Sequence, residues 1–247
     1  MTTPIVDGHL VVSHDETADD VLRAMDRCGI DIALVSPADD EVAARNREGN
    51  DRVLALCGHA PERLFPYAVA SPWFGAAAVR ELDRALSAGA RGLKINSALQ
   101  GFLLLDAIVD PLIEVARAHG VLVYAHTGTP VHALPLQLAE LACRFPDVPF
   151  IMGRSGRTDF RGDAPTALAM APNILADTSH DYGVTGLTNM FRAIGALRMV
   201  FCSDQPYATA AEGLRAVRAV AMTDSERSQM LGGNLLSRLV AESSERA

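Results

Sequence analysis

Eight times along this chain a short apolar run gives way to a longer segment with helical spacing, and this alternation restricts the fold more than any other feature. The runs are PIVDGHL, IDIALVSP, LFPYAVAS, RGLKINS, VLVYAHTG, PFIMGRSG, NILADTSHD and LRMVFCSDQP. Between them lie amphipathic segments such as TADDVLRAMDRCG, GAAAVRELDRALSAGA, LDAIVDPLIEVARAHG and HALPLQLAELACRF. Gly29, Gly89, Gly120 and Gly195 stand where such helices would end. Alternating strands and helices predict an α/β protein with a parallel sheet. Eight units is the number that closes a (β/α)8 TIM-type barrel. The length, 247 residues, suits a single barrel domain over residues 1–247, and no linker or repeat divides it. A doubly wound open sheet is the competing architecture. It would need a Gly-rich phosphate turn after the first strand, and DGHLVVS is not one.

Charge narrows the partners. The net charge of −8 argues against nucleic acid or an anionic membrane surface. No apolar run approaches the roughly 20 residues of a membrane span, and MTTPIVDG does not read as a signal peptide. Cys28, Cys57, Cys143 and Cys202 lack CxxC spacing and read as reduced, mostly buried thiols. A cytoplasmic location is therefore expected. The basic residues are almost all arginine; Lys94 is the only lysine.

In a barrel of this kind the chemistry sits at the C-terminal ends of the strands. Polar side chains gather there: His9, Lys94 with Asn96, His126, Arg154, Asp177 with His180, and Asp204. Alternate strand residues share a face. Asp7, His9 and Val11 can therefore point one way, as can Lys94 with Asn96, Tyr124 with His126, and Cys202 with Asp204. Thr158–Asp163, ahead of a helix broken by Pro165 and Pro172, is expected to form a mobile rim.

Several motifs resemble the amidohydrolase-related family of barrel hydrolases and decarboxylases. IVDGH resembles its first-strand Asp-x-His-x-His, and GLKINSALQGF its Gly-x-Lys-x-His-Pro segment. VYAHTGTP matches its fifth-strand His-x-Gly. NILADTS resembles its seventh strand, VFCSDQP its Ser-Asp-x-Pro, and MLGGNLLSRL its closing helix. The resemblance implies a metal held by His9, His126 and Asp204, but this ligand set is incomplete: Val11 stands in place of the second first-strand histidine. Arg154 replaces a sixth-strand histidine and Asn96 a fourth-strand one.

Three protein ligands with water can hold catalytic zinc. A guanidinium beside such an ion cannot deprotonate to relieve repulsion. No cofactor is therefore favoured, with one divalent ion, zinc, as the alternative and His14 as a substitute ligand. Arg154 is expected to pair with Asp204 or a bound anion; the rival partners are Asp159 and Asp163. Lys94 reads as a barrel-filling cation paired to Asp7 or Asp204, as a substrate-binding cation, or as a carboxylated ligand. The expected catalytic residues are His9, His126, Asp204 and Arg154, with His126 as general acid or base. Lys94, Asn96, Tyr124 and His180 are expected to bind substrate. That substrate is expected to be small and anionic, and the reaction to be hydrolysis of a lactone, ester or amide. Decarboxylation is the alternative, and a non-catalytic ligand-binding barrel the rival from another class. A homo-oligomer is left open.

Overall fold

The computed structural model describes residues 3–157, 159–180 and 183–244. Its eight strands follow the eight apolar runs: β1 (Val6–Val11), β2 (Ile32–Ser36), β3 (Leu64–Val69), β4 (Gly92–Ile95), β5 (Leu122–His126), β6 (Phe150–Gly153), β7 (Ile174–Asp177) and β8 (Met199–Val200). Each pairs in parallel with its sequence neighbour, in the order β1 to β8. The seam between the last strand and the first is closed by backbone bonds rather than a regular ladder. Gly8 N donates to Phe201 O (2.8 Å), Asp204 N to His9 O (3.0 Å) and Val11 N to Gln205 O (2.8 Å). The chain is a (β/α)8 barrel.

Helices of eight residues or more cover the barrel: α1 (Ala18–Cys28), α3 (Asn46–Cys57), α4 (Ala76–Ser87), α6 (Asp110–Ala118), α7 (Pro135–Arg144), α9 (Val184–Ile194), α10 (Ala210–Ala219) and α12 (Asn234–Ser244). Shorter ones are α2 (Asp39–Ala43), α5 (Ser97–Gln100), α8 (Ala164–Met170) and α11 (Asp224–Ser228). α1 shows why the ends fall where they do. Thr17 Oγ1 accepts from Asp20 N while the Asp20 carboxylate accepts from Thr17 N, and Gly29 closes the helix at φ 70°. No helix among the described residues is long and apolar enough to cross a membrane.

Strand alternation sorts the core into two layers. Val6, Leu34, Tyr67, Leu122, Tyr124, Ile151, Leu175, Val200 and Cys202 fill the barrel interior. Their neighbours, among them Val35, Leu93, Ile95, Val123, Phe150 and Phe201, pack outward against the helices. Tyr124 fits inside because β6 carries Gly153: a Cβ there would overlap the phenol ring. Cys57 and Cys202 are buried and Cys28 partly so, but Cys143 is exposed at the surface.

Of the expected rim, Thr158 lies outside the described residues. Asp159 and Gly162 are exposed, and a single 3-10 turn, Arg161–Asp163, leads into α8.

Candidate active site at the barrel mouth

β1 slips in register between Asp7 and Leu10. Val6 thus packs inside the barrel and Leu10 outside it, while the His9 ring lies flat on Tyr124, centroids 3.9 Å apart. The irregularity turns Asp7 toward the seam. Its Oδ1 accepts from Ser203 N (2.8 Å) and His9 N (3.2 Å), and its Oδ2 makes no aligned hydrogen bond among the described residues. Burial raises this carboxyl to about 7.

Asp204 is the meeting point. Its Oδ2 accepts from Arg154 Nε (2.8 Å) and His180 Nε2 (2.6 Å), with Arg154 Nη2 also 2.8 Å away. Its Oδ1 faces His9 Nδ1 at 3.0 Å, off the hydrogen-bonding axis, so both His9 ring nitrogens lack an aligned partner. Burial pushes the Asp204 carboxyl up, but His180, His9 and the charge of Arg154 hold it well below the usual carboxylate range. His14 lies elsewhere, exposed and 3.0 Å from Asp40.

Asp177 braces the same corner from below. It accepts from Arg154 N (2.8 Å), Tyr124 Oη (3.1 Å), and Ser179 N and Oγ (2.5 and 3.0 Å). Tyr124 therefore lies beneath His9 with its hydroxyl committed to Asp177. Arg154 Cζ also lies 5.4 Å from the centre of the Tyr207 ring, whose hydroxyl donates to Asp39 (2.7 Å). Asn96 caps α5, accepting from Leu99 N (3.3 Å).

Lys94 alternates with the outward-packed Leu93 and Ile95 and so projects inside the barrel. It is 3% exposed, yet no hydrogen bond or ion pair links it to any described residue. The expected pairing with Asp7 or Asp204 is not formed. Burial lowers its ammonium to about 8. Burial and the Arg154 and Lys94 charges lower His126 to about 3, and burial with Lys94 lowers His9 to about 4. Both imidazoles are neutral at pH 7. His126 Nε2 contacts Thr129 Oγ1 at 2.8 Å.

Backbone strain marks the same place. Among the described residues, Arg154, Ser155, His180 and Asp204 are the non-glycine residues with positive φ, at 60°, 46°, 55° and 53°. Such conformations cost on the order of 1–3 kcal/mol each and persist where surrounding structure enforces them. Three of the four bring their side chains together on one carboxylate.

A family model described as amidohydrolase matches residues 6–234. The chain belongs to the amidohydrolase family. Solved structures similar to this amidohydrolase include 5-carboxyvanillate decarboxylase from Sphingomonas paucimobilis, 17% identical with a TM-score of 0.75, covering 97% of this chain and 99% of that one. A 2,6-dihydroxybenzoate decarboxylase from Rhizobium is 18% identical, TM-score 0.78, over 97% and 99%. A dihydroxybenzoic acid decarboxylase from Polaromonas, with bound manganese and 2-nitroresorcinol, is 17% identical, TM-score 0.75, over 96% and 97%. At these identities the likeness speaks for the fold. No curated protein matches the sequence.

The manganese in the Polaromonas protein raises the question of whether the mouth of this amidohydrolase fits a metal. The feature in favour is His9, whose Nε2 has no hydrogen-bond partner among the described residues. Against it, no three His, Cys, Asp or Glu side chains among the described residues are grouped to hold one ion. Asp204 Oδ2 is already taken by a guanidinium and an imidazole. A dication about 4 Å from that guanidinium would be repelled by roughly 4 kcal/mol per unit of its charge at an effective dielectric of about 20. The donor set does not fit a tightly held divalent ion.

Sequence reasoning left Asp177, Thr129 and Tyr207 without a role. Asp177 was visible only as one more polar residue at a strand end. Tyr207 and Thr129 sit on loops, where no periodicity points to a side chain's direction.

Proposed function

We propose that this amidohydrolase is a lyase that removes CO2 from a small carboxylic acid. One observation carries the reading: the buried ammonium of Lys94 makes no hydrogen bond or ion pair with any described residue, feels Asp39 and Asp204 only beyond contact distance, and projects into the same mouth as two neutral imidazoles and the Arg154 guanidinium. An unpaired buried cation is costly, and an anionic ligand relieves it. The solved structures of similar fold act on aromatic carboxylic acids by their names, and an aromatic acid is the substrate class this reading adopts.

Decarboxylation suits the groups better than hydrolysis. Imidazoles lowered to about 3 and 4 are weak bases for activating water. In decarboxylation the bond between carbon and carboxylate breaks, its electron pair stays on carbon, and CO2 leaves. That carbon then takes a proton. Lys94, still mostly protonated at pH 7, supplies it and is reprotonated from solvent, so the balance is RCOO⁻ + H⁺ → RH + CO2. Arg154, partly open to solvent, holds the anion at the rim. The stacked His9–Tyr124 pair forms a flat floor.

The test is a panel of hydroxybenzoates incubated in D2O and followed by NMR. Deuterated product and CO2 are expected, with loss in Lys94→Met. Hydrolysis of esters or lactones without CO2 release from any acid would replace this reading. Binding without turnover would favour the non-catalytic barrel.

A further inference from the structure

We infer that the guanidinium of Arg154 has taken the place of a divalent metal on Asp204, so that the protein works without a resident metal, and that Arg154 and Lys94 together grip the anionic end of the substrate. The second half rests on the carboxylate reading above; the first stands on the geometry of the mouth alone.

The guanidinium is built in rather than passing by. Its Nε and Nη2 both sit 2.8 Å from one oxygen, Asp204 Oδ2, a charge-assisted contact from two nitrogens to a single acceptor. Its backbone nitrogen is tied to Asp177, its backbone is held at φ 60°, and Tyr207 lies over its face. Three independent restraints therefore hold one side chain in one direction. Asp204 has a single negative charge to share, and His180 claims the same oxygen. The other oxygen meets His9 Nδ1. His126 Nε2 faces Thr129 rather than a vacant coordination position.

What remains available is complementary to an anion. Nη1 of Arg154 has no partner among the described residues, and the side chain is 26% exposed. Lys94 is deeper and also unpaired. A carboxylate entering the mouth meets a guanidinium at the rim and an ammonium below, both fixed before it arrives. A metal in the same place would have to displace Arg154 from Asp204 Oδ2 first.

The experiment measures metal and anion separately, without turnover. Wild-type protein is expressed with manganese and zinc in the medium, desalted, and its metal content determined by elemental analysis. Thermal unfolding is then recorded with added Mn²⁺, Zn²⁺, chelator or benzoate. Substoichiometric metal and a midpoint unmoved by either ion or chelator are expected. The variants Arg154→His and Val11→His/Arg154→His remove the cation and add imidazoles beside Asp204. They should gain one ion per chain and a midpoint that rises with Mn²⁺. Arg154→Met should weaken benzoate binding by roughly 10- to 100-fold. If the double variant does not fold, the wild-type metal content and the single variant decide. One zinc or manganese ion per wild-type chain, lost to chelator with a fall in the midpoint, would overturn the inference. Benzoate affinity unchanged in Arg154→Met would overturn its second half. Because metal content is read without substrate, failure of the decarboxylation assay leaves this result intact.

Discussion

Lys94 is the only lysine in the chain, and its ammonium is buried without a hydrogen bond or a close ion pair among the described residues. A group like that works against stability, so function and folding should respond to it in opposite directions. Lys94→Met keeps the volume and removes the charge. Its unfolding free energy should rise by about 1–3 kcal/mol while carboxylate binding and turnover are lost. A denaturant titration beside the activity assay checks both; a destabilised variant would mean that the ammonium has a partner in solution. Since burial lowers Lys94 to about 8, turnover that needs its proton should decline as pH rises through that value. Asp7 gives a second pH test. Burial raises its carboxyl to about 7. A raised carboxyl contributes stability that is complete below its unfolded value near 4 and is lost as pH climbs through 7. Asp7→Asn retains an oxygen for Ser203 N and cannot ionise. Relative to wild type it should therefore gain about 2–3 kcal/mol between pH 5 and pH 8. Equal stability differences at the two pH values would show that Asp7 titrates normally.

The loops that frame the mouth are held by buried amides. Asn46 Oδ1 accepts from Ser71 N (2.7 Å), and its Nδ2 donates to Glu41 O (2.8 Å) and Val42 O (2.9 Å). One side chain thus ties the start of α3 to α2 and to the segment after β3. Gln100 crosses the same space, donating to Val42 O (3.2 Å) and Ala70 O (2.9 Å). Asn46→Ala takes the side-chain bond from Ser71 N and Glu41 O and leaves Val42 O with Gln100 alone. We expect a loss of about 2–4 kcal/mol, from the penalty on each unsatisfied group, read as a lower unfolding midpoint. The strands and the four helices named from spacing were legible because burial imposes a period on the sequence. The placing of Lys94, His126 and Asp204 at one end of the barrel was legible because a parallel barrel delivers strand ends to one face. The amide ties were not, since an asparagine on a loop looks the same whether it bonds three backbone groups or water. The left-handed turns at Arg154, His180 and Asp204 were equally hidden, because their residue types give no glycine to mark them. The slip in β1 also lay beyond pattern reading: simple alternation placed Asp7 and His9 on one face, whereas the irregularity turns Asp7 to the seam.

At the scale of the whole barrel the weak place is the seam, because β8 is two residues long and meets β1 through separate bonds. The segment that supports it is the irregular turn Gln229–Gly233, just before α12. Met230 O accepts from Phe201 N (3.0 Å), while Asn234 Nδ2 donates to Ala196 O and Met199 O, both at 2.7 Å. The last helix thus fastens the last strand, and Leu235 and Leu239 cap the interior core beneath it. Gly232 lies where this turn passes the chain entering β1, and a Cβ there would overlap the Pro4 carbonyl oxygen. The obstacle is backbone on both sides, so neither a rotamer change nor a flexible tip can make room. Gly232→Ala should therefore push the start of β1 away from the turn and destabilise the protein by about 1–3 kcal/mol or more, the range for overpacking a close contact. Gly162→Ala is the control: it is exposed, and nothing lies within 4 Å of the added atom. Because β1 carries His9 and the segment after β8 carries Asp204, displacement at the seam should also loosen the His9–Asp204 contact. Gly232→Ala is then expected to weaken benzoate binding along with stability, whereas Gly162→Ala should leave both unchanged. Loss of stability with full benzoate affinity would show that the mouth is organised independently of the seam beneath it.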